Sequence, residues 1–201
     1  MRSRPAPAAP ARRSAHEVRI VGGRWKRTRL PVADKPGLRP TPDRVRETLF
    51  NWLGQDLTGW CCVDAFAGTG ALGLEAASRG AAQVLLVEQD PDLVATLRGL
   101  KAKLEADVVE VRRANGLSVL KDLAGSGQDL VLLDPPFEAD IFDKAIAAAV
   151  PALREEGYLY LEAPHRWSDA ALQAQGLEVE RYLRAGAVHA HLLRRAAAAG
   201  P

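Results

Sequence analysis

The chain has 201 residues, 47% of them hydrophobic and 26% charged, with a formal net charge of +2 and two cysteines. That size allows one substantial buried core, two cysteines exclude a disulfide scaffold, and no apolar run approaches the roughly 20 residues of a membrane-crossing helix. The small net charge hides an asymmetry: residues 1–60 carry thirteen Lys and Arg against five Asp and Glu, a net of +8, and the remainder carries fourteen against twenty, a net of −6. A polyanion would be gripped by the first segment and not by the second.

Residues 1–16, rich in Pro, Ala and Arg, read as a disordered basic tail. Its arginines suggest a transit peptide, but Pro5, Pro7 and Pro10 oppose an amphipathic helix and no apolar signal core follows, so the expected location is the cytoplasm. In residues 17–32, two short apolar stretches flank Gly22-Gly23 and the cluster Arg24, Lys26, Arg27, Arg29, which fits a β-hairpin with a basic tip. Trp25 within it suits either stacking on a base or packing on the core. Residues 41–54 read as a helix with Thr41 as N-cap, Pro42 at the first helical position, and Val45, Leu49, Trp52 and Leu53 at core spacing. Arg44 and Arg46 cannot both follow that apolar stripe; phosphate contacts or salt bridges with Asp43 or Glu47 are the roles open to them.

The apolar run at 60–63 reads as a buried strand, and it breaks into Asp64-Ala65-Phe66-Ala67-Gly68-Thr69-Gly70-Ala71-Leu72-Gly73 with a helix over 71–79. Strand, glycine-rich turn and helix N-terminus form a cofactor-binding corner, because glycines admit close approach and the first helical N–H groups face the ligand. Gly68, Gly70 and Gly73 also satisfy the dinucleotide fingerprint, with Glu88 at the end of the strand 83–87 where an acid meets ribose hydroxyls, so a nicotinamide dinucleotide stays in play. Asp64 argues against it. A carboxylate there sits poorly beside a pyrophosphate and well beside the ammonium of an amino-acid tail, and S-adenosyl-L-methionine has that tail and no phosphate. Its pocket would comprise Asp64, Phe66, Ala67, Gly68, Gly70, Glu88 on the ribose, and Asn115, after a strand at 108–111, near the adenine edge.

After helices at 92–104 and 117–123, the apolar run 130–133 ends in Asp134-Pro135-Pro136-Phe137. Each proline removes an N–H donor, and the residue before a proline is pushed to an extended conformation, so Asp134 and the Pro135 carbonyl form an acceptor-only edge suited to a substrate amino group. Phe137 supplies a flat face on which the ring bearing that amine could stack. A helix at 141–150, a strand at 158–161, a short helix at 168–174 and strands at 177–183 and 188–193 complete an alternation that implies a parallel sheet. The short turn 184–187 permits only an antiparallel final pair. Cys61 and Cys62 point to opposite faces of one strand and read as packing residues; His189 and His191 lack further ligands at matching spacing, so no metal site is expected.

The glycine loop and Asp134-Pro135-Pro136-Phe137 look like motifs of class I methyltransferases that modify exocyclic or amide nitrogens. The stretch Arg19-Ile20-Val21-Gly22-Gly23 through Leu30-Pro31, and then Gly37-Leu38-Arg39-Pro40-Thr41-Pro42-Asp43-Arg44-Val45-Arg46-Glu47-Thr48-Leu49-Phe50-Asn51, resembles the signature of the RsmD family, bacterial guanine-N2 methyltransferases of small-subunit ribosomal RNA. The resemblance implies an α/β, Rossmann-like class I fold: a mostly parallel seven-stranded sheet with an antiparallel C-terminal hairpin. It further implies an RNA-binding hairpin and helix at 17–54 and a methyltransferase domain at 55–196. The substrate would be 16S rRNA in an assembling or assembled small subunit, met by a monomer through Arg24, Lys26, Arg27, Arg39, Thr41, Arg44 and Arg46. One departure stands out: where relatives often have glycine in the hairpin tip, this chain has Arg27. DNA adenine-N6 and protein glutamine-N5 methyltransferases share the Asp/Asn-Pro-Pro-aromatic pattern, and a non-catalytic RNA-binding module would lack one of Asp64, Glu88 and Asp134, all of which are present.

Overall fold

A computed structural model describes residues 17–35, 38, 40–136 and 141–196. The described chain opens with a hairpin of β1 (Glu17–Arg19) and β2 (Arg29–Pro31) and continues into α1 (Asp43–Trp52). Alternation follows: β3 (Cys61–Asp64), α2 (Ala71–Ser78), β4 (Gln83–Glu88), α3 (Pro91–Leu104), β5 (Val109–Arg113), α4 (Gly116–Asp122), β6 (Gln128–Leu133), α5 (Ile141–Ala149), β7 (Leu153–Ala163), α6 (Asp169–Gln173), β8 (Leu177–Ala185) and β9 (Val188–Arg195).

The seven strands after the hairpin form one sheet in the order β5-β4-β3-β6-β7-β9-β8. From β5 to β7 every pairing is parallel, and β9 runs antiparallel to both its neighbours. This is the Rossmann-like class I arrangement expected from the sequence. The chain steps outward from β3 to β5 and then returns to the other side of β3 with β6. Strand order therefore reverses between β3 and β6, and the crevice beyond their carboxyl ends is where an open α/β sheet binds its ligand.

The period of two along each strand builds the layers. On β6, Leu130 and Leu132 join a core with Val18, Ile20 and Leu30 of the hairpin, Val45, Leu49 and Phe50 of α1, Leu72 and Leu74 of α2, and Leu97 of α3. Val131 and Leu133 point to the opposite face and meet Val119 and Leu120 of α4, Phe142 and Ile146 of α5, and Leu172 of α6. Helices thus cover both faces of the sheet. The hairpin and α1 share a continuous apolar core with the sheet, which fixes them against the crevice instead of leaving them as an appended arm.

Two local expectations change. Thr41 does not cap α1: Pro42 occupies the N-cap position and no side chain there bonds the helix, because the Thr41 side chain is turned inward among carboxylates. Strand β7 begins at Leu153, five residues ahead of the apolar run at 158: Leu153 pairs with Gln128, and the register then shifts past the exposed residues Arg154, Glu155 and Glu156 to resume at Tyr158, so no apolar alternation announces the start. Among the described residues, no helix is long and apolar enough to cross a membrane.

Candidate active site

Four carboxylates converge at the carboxyl edge of the sheet. Asp64 ends β3, Glu88 ends β4, Asp134 follows β6 directly, and Glu162 lies near the end of β7. The register Leu133↔Leu161 sets Asp134 beside Glu162, and Ala65 N–H donates to the Leu132 carbonyl at 3.1 Å, which holds the start of the glycine turn against the strand that carries Asp134.

Asp64 is buried and only partly satisfied. Its Oδ2 accepts from the Gly73 N–H at 3.0 Å, while Oδ1 has no partner among the described residues. Burial pushes this carboxyl up to about 7; the N–H groups of Gly73 and Phe66 oppose the shift, and the charges of Glu88 and Glu162 add to it. An acid held in this way lacks a cation. The glycines serve the same corner by packing: a Cβ on Gly73 would fall 2.2 Å from Leu86 Cδ2 and 3.2 Å from Asp64 Oδ2, and Gly70, at φ +77°, closes the turn where only glycine is unstrained.

Glu88 organises the turn. Its Oε2 accepts from Gly68 N–H at 2.9 Å, and its Oε1 accepts from Gln89 and Asp90 N–H at 2.8 and 2.9 Å. Three of about four acceptor directions are filled, leaving Oε2 open to one further donor. Phe66 and Ala67 lie in the turn, Phe66 half-buried and packed on the second core. Asn115 is exposed and caps α4, accepting from Ser118 N–H at 3.2 Å through Oδ1, so its amide nitrogen is left as the group a ligand can use.

Asp134 is partly buried, Pro135 is buried and Pro136 exposed. Burial drives the Asp134 carboxyl well above the ordinary carboxylate range, with the charges of Glu162 and Asp64 adding to the effect and a hydrogen bond from Thr41 opposing it. Phe137, read from the sequence as the stacking residue, lies outside the described residues, as does Arg39.

Lys35, Leu38 and Thr41, between β2 and α1, also lie at this edge; of these, only Thr41 is expected from the sequence to be a site residue, as an RNA contact. Lys35 Nζ donates to both carboxylate oxygens of Asp90 at 2.6 Å and to Asp92 at 2.9 Å. Leu38 lies against the Gly68 turn, its Cδ1 3.1 Å from where a Cβ would stand. Thr41, buried, hydrogen-bonds Asp134 and Glu162. Thr41 therefore belongs to the crevice and is withdrawn as an RNA contact.

Arg46 is the larger correction. Its side chain is completely buried, donating to Glu75 at 3.1 Å, to Asp43 at 2.6 Å and to the Thr41 carbonyl at 3.2 Å, and it cannot reach a phosphate. Glu75, equally buried on α2, also accepts from Val21 and Gly22 N–H at 2.7 Å each and from Arg79 at 2.9 Å. One glutamate thereby ties the hairpin, α1 and α2 together. Its only sequence signal was an acid on an otherwise apolar, glycine-following helix. The remaining basic residues, Arg24, Lys26, Arg27 and Arg44, are exposed.

The hairpin tip docks on the far end of α2: Arg24 N–H donates to the Ser78 carbonyl at 2.7 Å, and Trp25 N–H to Ser78 Oγ at 2.9 Å. Eight helical residues separate that end from the glycine turn, about 12 Å of rise, so the basic tip flanks the crevice without lining it. Trp25 packs against the core, with the Arg24 guanidinium 5.9 Å from its ring centre. Arg27 has φ +72°, the left-handed conformation that favours glycine, which explains why a glycine is at home in this position. His191 is buried and accepts from Trp167 N–H at 3.2 Å, and burial lowers its imidazole to about 4. It is a core residue, and the described residues hold no group of three or more His, Cys, Asp or Glu able to bind a metal ion.

Known proteins resemble this chain over most of its length. The family model "Conserved hypothetical protein 95" matches residues 18–194. Among curated proteins, the chain is 43% identical over 154 residues to "Ribosomal RNA small subunit methyltransferase D" of Escherichia coli K12, covering 77% of this chain and 75% of that one. It is 42% identical over 134 residues to the protein of the same name in Haemophilus influenzae, covering 65% and 69%. Among solved structures, the yhhF protein of Escherichia coli superposes with a TM-score of 0.76 at 38% identity, covering 91% of this chain and all of that one.

Proposed function

The chain belongs to the RsmD family, and from that membership and the acid-lined crevice we propose that it transfers a methyl group from S-adenosyl-L-methionine to the exocyclic N2 of a guanine in the 16S RNA of the small ribosomal subunit. The observation that carries the reading is the pairing of a half-satisfied buried Asp64 with an acceptor-only Asp134-Pro135 lip on the adjacent strand. A crevice lined by Asp64, Glu88, Asp134 and Glu162 favours a cationic ligand and repels a pyrophosphate, which weighs against a dinucleotide.

When bound, S-adenosylmethionine supplies a methyl group activated by a positively charged sulfur. Asp64 would accept from the ammonium of its tail through Oδ1, Glu88 from a ribose hydroxyl through Oε2, and the Asn115 amide would donate to the adenine edge. Gly68 and Gly70, with Phe66 and Ala67, shape the turn around it. Asp134 and the Pro135 carbonyl would accept the two N–H bonds of the guanine amine. The lone pair of that amine is delocalised into the ring, so fixing both hydrogens aims it and stabilises the positive charge that grows on nitrogen. A paired amine cannot reach this lip, and the nucleotide must be flipped or presented in a loop. Arg24, Lys26, Arg27 and Arg44 would hold flanking phosphates. Because the basic tip stands about 12 Å from the glycine turn, the arrangement suits a folded RNA in preference to a free nucleoside.

Asp134→Ala is the direct test of the lip. It should leave S-adenosylmethionine affinity within a few-fold and lower turnover by at least about 100-fold. Near-normal turnover would remove Asp134 from the role. Calorimetric titration should give binding heat with S-adenosylmethionine and none with NAD.

A further inference from the structure

The carboxyl edge of the sheet continues past the Asp134-Pro135 lip. Beyond β6 come β7, β9 and β8, and the register that sets Asp134 beside Glu162 carries on through Ala163↔His189 and His189↔Arg184. At about 4.8 Å per strand, His189 and Arg184 stand about 10 and 14 Å from the lip. Leu183 and Ala185 of β8 and Ala190 of β9 pack on the first core, so by alternation Tyr182, Arg184 and His189 project from the other face, away from the hairpin and α1. Arg166, in the loop after β7, joins them, its guanidinium 4.8 Å from the Tyr182 ring centre. Tyr182 Oη and His189 Nδ1 are hydrogen-bonded at 2.7 Å. Whichever of the two donates, the pair keeps one N–H or O–H for a further acceptor.

Building on the RNA substrate proposed above, we propose that Arg166, Arg184 and the Tyr182–His189 pair form a second RNA-binding surface, holding phosphates of the nucleotides that flank the flipped guanine on the face of the sheet opposite the basic hairpin. Residues 61–201 carry a net charge of −6, which repels a polyanion unless cations are left free to meet it. Other arginines on these strands are paired with carboxylates: Arg154 with Asp129 at 2.8 Å, Arg181 with Glu180 at 3.2 Å and Arg194 with Glu178 at 2.6 Å. Arg166 and Arg184 are exposed, and among the described residues neither forms a salt bridge. Arg184 Nε donates to the Gly186 carbonyl of its own turn at 3.3 Å, which directs the rest of its fork outward from the strand end. A guanidinium held on an aromatic ring is likewise fixed in direction, and its planar fork matches two phosphate oxygens. Partial burial, and then the charges of Arg184 and His165, hold the His189 imidazole below its ordinary range, so at pH 7 it offers a hydrogen without adding to their mutual repulsion. A guanine held at Asp134 and Pro135 has its neighbouring nucleotides within reach of this row.

Paired arginines at the other edge of the same strands provide the control. The double variant Arg166→Ala/Arg184→Ala should weaken binding of protein-free, unmethylated 16S RNA by at least about 10-fold and reduce the salt slope by about 1.5, just under one per phosphate released. Arg154→Ala/Arg194→Ala removes the same charge from salt-bridged positions and should leave the slope unchanged. S-adenosylmethionine affinity and melting temperature should be unaltered in both, which shows that the fold is intact. A slope that is unchanged in the first variant, or reduced equally in the two, would overturn the proposal. Weakened binding to assembled small subunits with unaltered binding to the protein-free RNA would also overturn it, by assigning the surface to a ribosomal protein. Binding is read without methyl transfer. A protein that binds RNA through this surface and methylates none would therefore refute the proposed function and leave the surface standing, and methylation with an unchanged slope would do the reverse.

Discussion

Acid should weaken S-adenosylmethionine binding through Asp64. In the protein alone this carboxyl is raised to about 7, chiefly by burial, from the 3.8 of an unperturbed aspartate. Its folded-state value lies above its unfolded one, so the stability it contributes is complete below about pH 4 and is lost as pH rises through about 7. A bound ammonium reverses the preference, since only the ionised form pairs with it. Proton and cofactor tail then compete, and because the carboxyl is already half protonated at pH 7, affinity should fall about 5-fold from pH 7 to 6 and about 50-fold in all by pH 5. Calorimetric titration between pH 5 and 7, in buffers of different ionisation enthalpy, would measure both the affinity and a release of about half a proton per cofactor bound at pH 7. Asp64→Asn should bind weakly with no such slope. Affinity that is flat over this range, or that strengthens in acid, would refute the assignment of the ammonium to Asp64.

Two other perturbations probe the frame around the crevice. Glu75→Ala leaves the Arg46 guanidinium buried with one partner fewer and strips the acceptor from Val21 and Gly22 N–H, so urea unfolding should show a loss of about 3–5 kcal/mol; a loss below about 1 kcal/mol would show the network to be dispensable. Arg27→Gly relieves a left-handed conformation at φ +72° and should raise stability by about 1 kcal/mol while lowering RNA affinity and reducing the salt slope of binding by just under about 1. Unaltered RNA affinity would take the hairpin tip out of the interface.

What was legible in the sequence was local. The glycine turn after a buried strand, the acid-Pro-Pro lip and the alternation of strand and helix each announce themselves within about ten residues, and β3, α2, β4 and β6 stand where those signals put them. What was not legible depended on elements far apart in the chain. Arg46 looks like a surface cation in a helix of mixed charge until α2 brings Glu75 against it. Thr41 before a proline reads as a helix cap by local rules, and only the packing of α1 against the sheet turns its hydroxyl toward Asp134 and Glu162. Glu162 itself sits in an apolar strand with no motif around it. Its significance lies in the register with β6, which no spacing along the chain reveals.

Methylation of a guanine amine in small-subunit ribosomal RNA is measured most directly by transfer of a radiolabelled methyl group from S-adenosylmethionine to unmethylated small ribosomal subunits, followed by nucleoside analysis. Label recovered as N2-methylguanosine, and lost with Asp134→Ala, is the result expected. Label in an adenosine, in a protein side chain, or in no acceptor at all would contradict it.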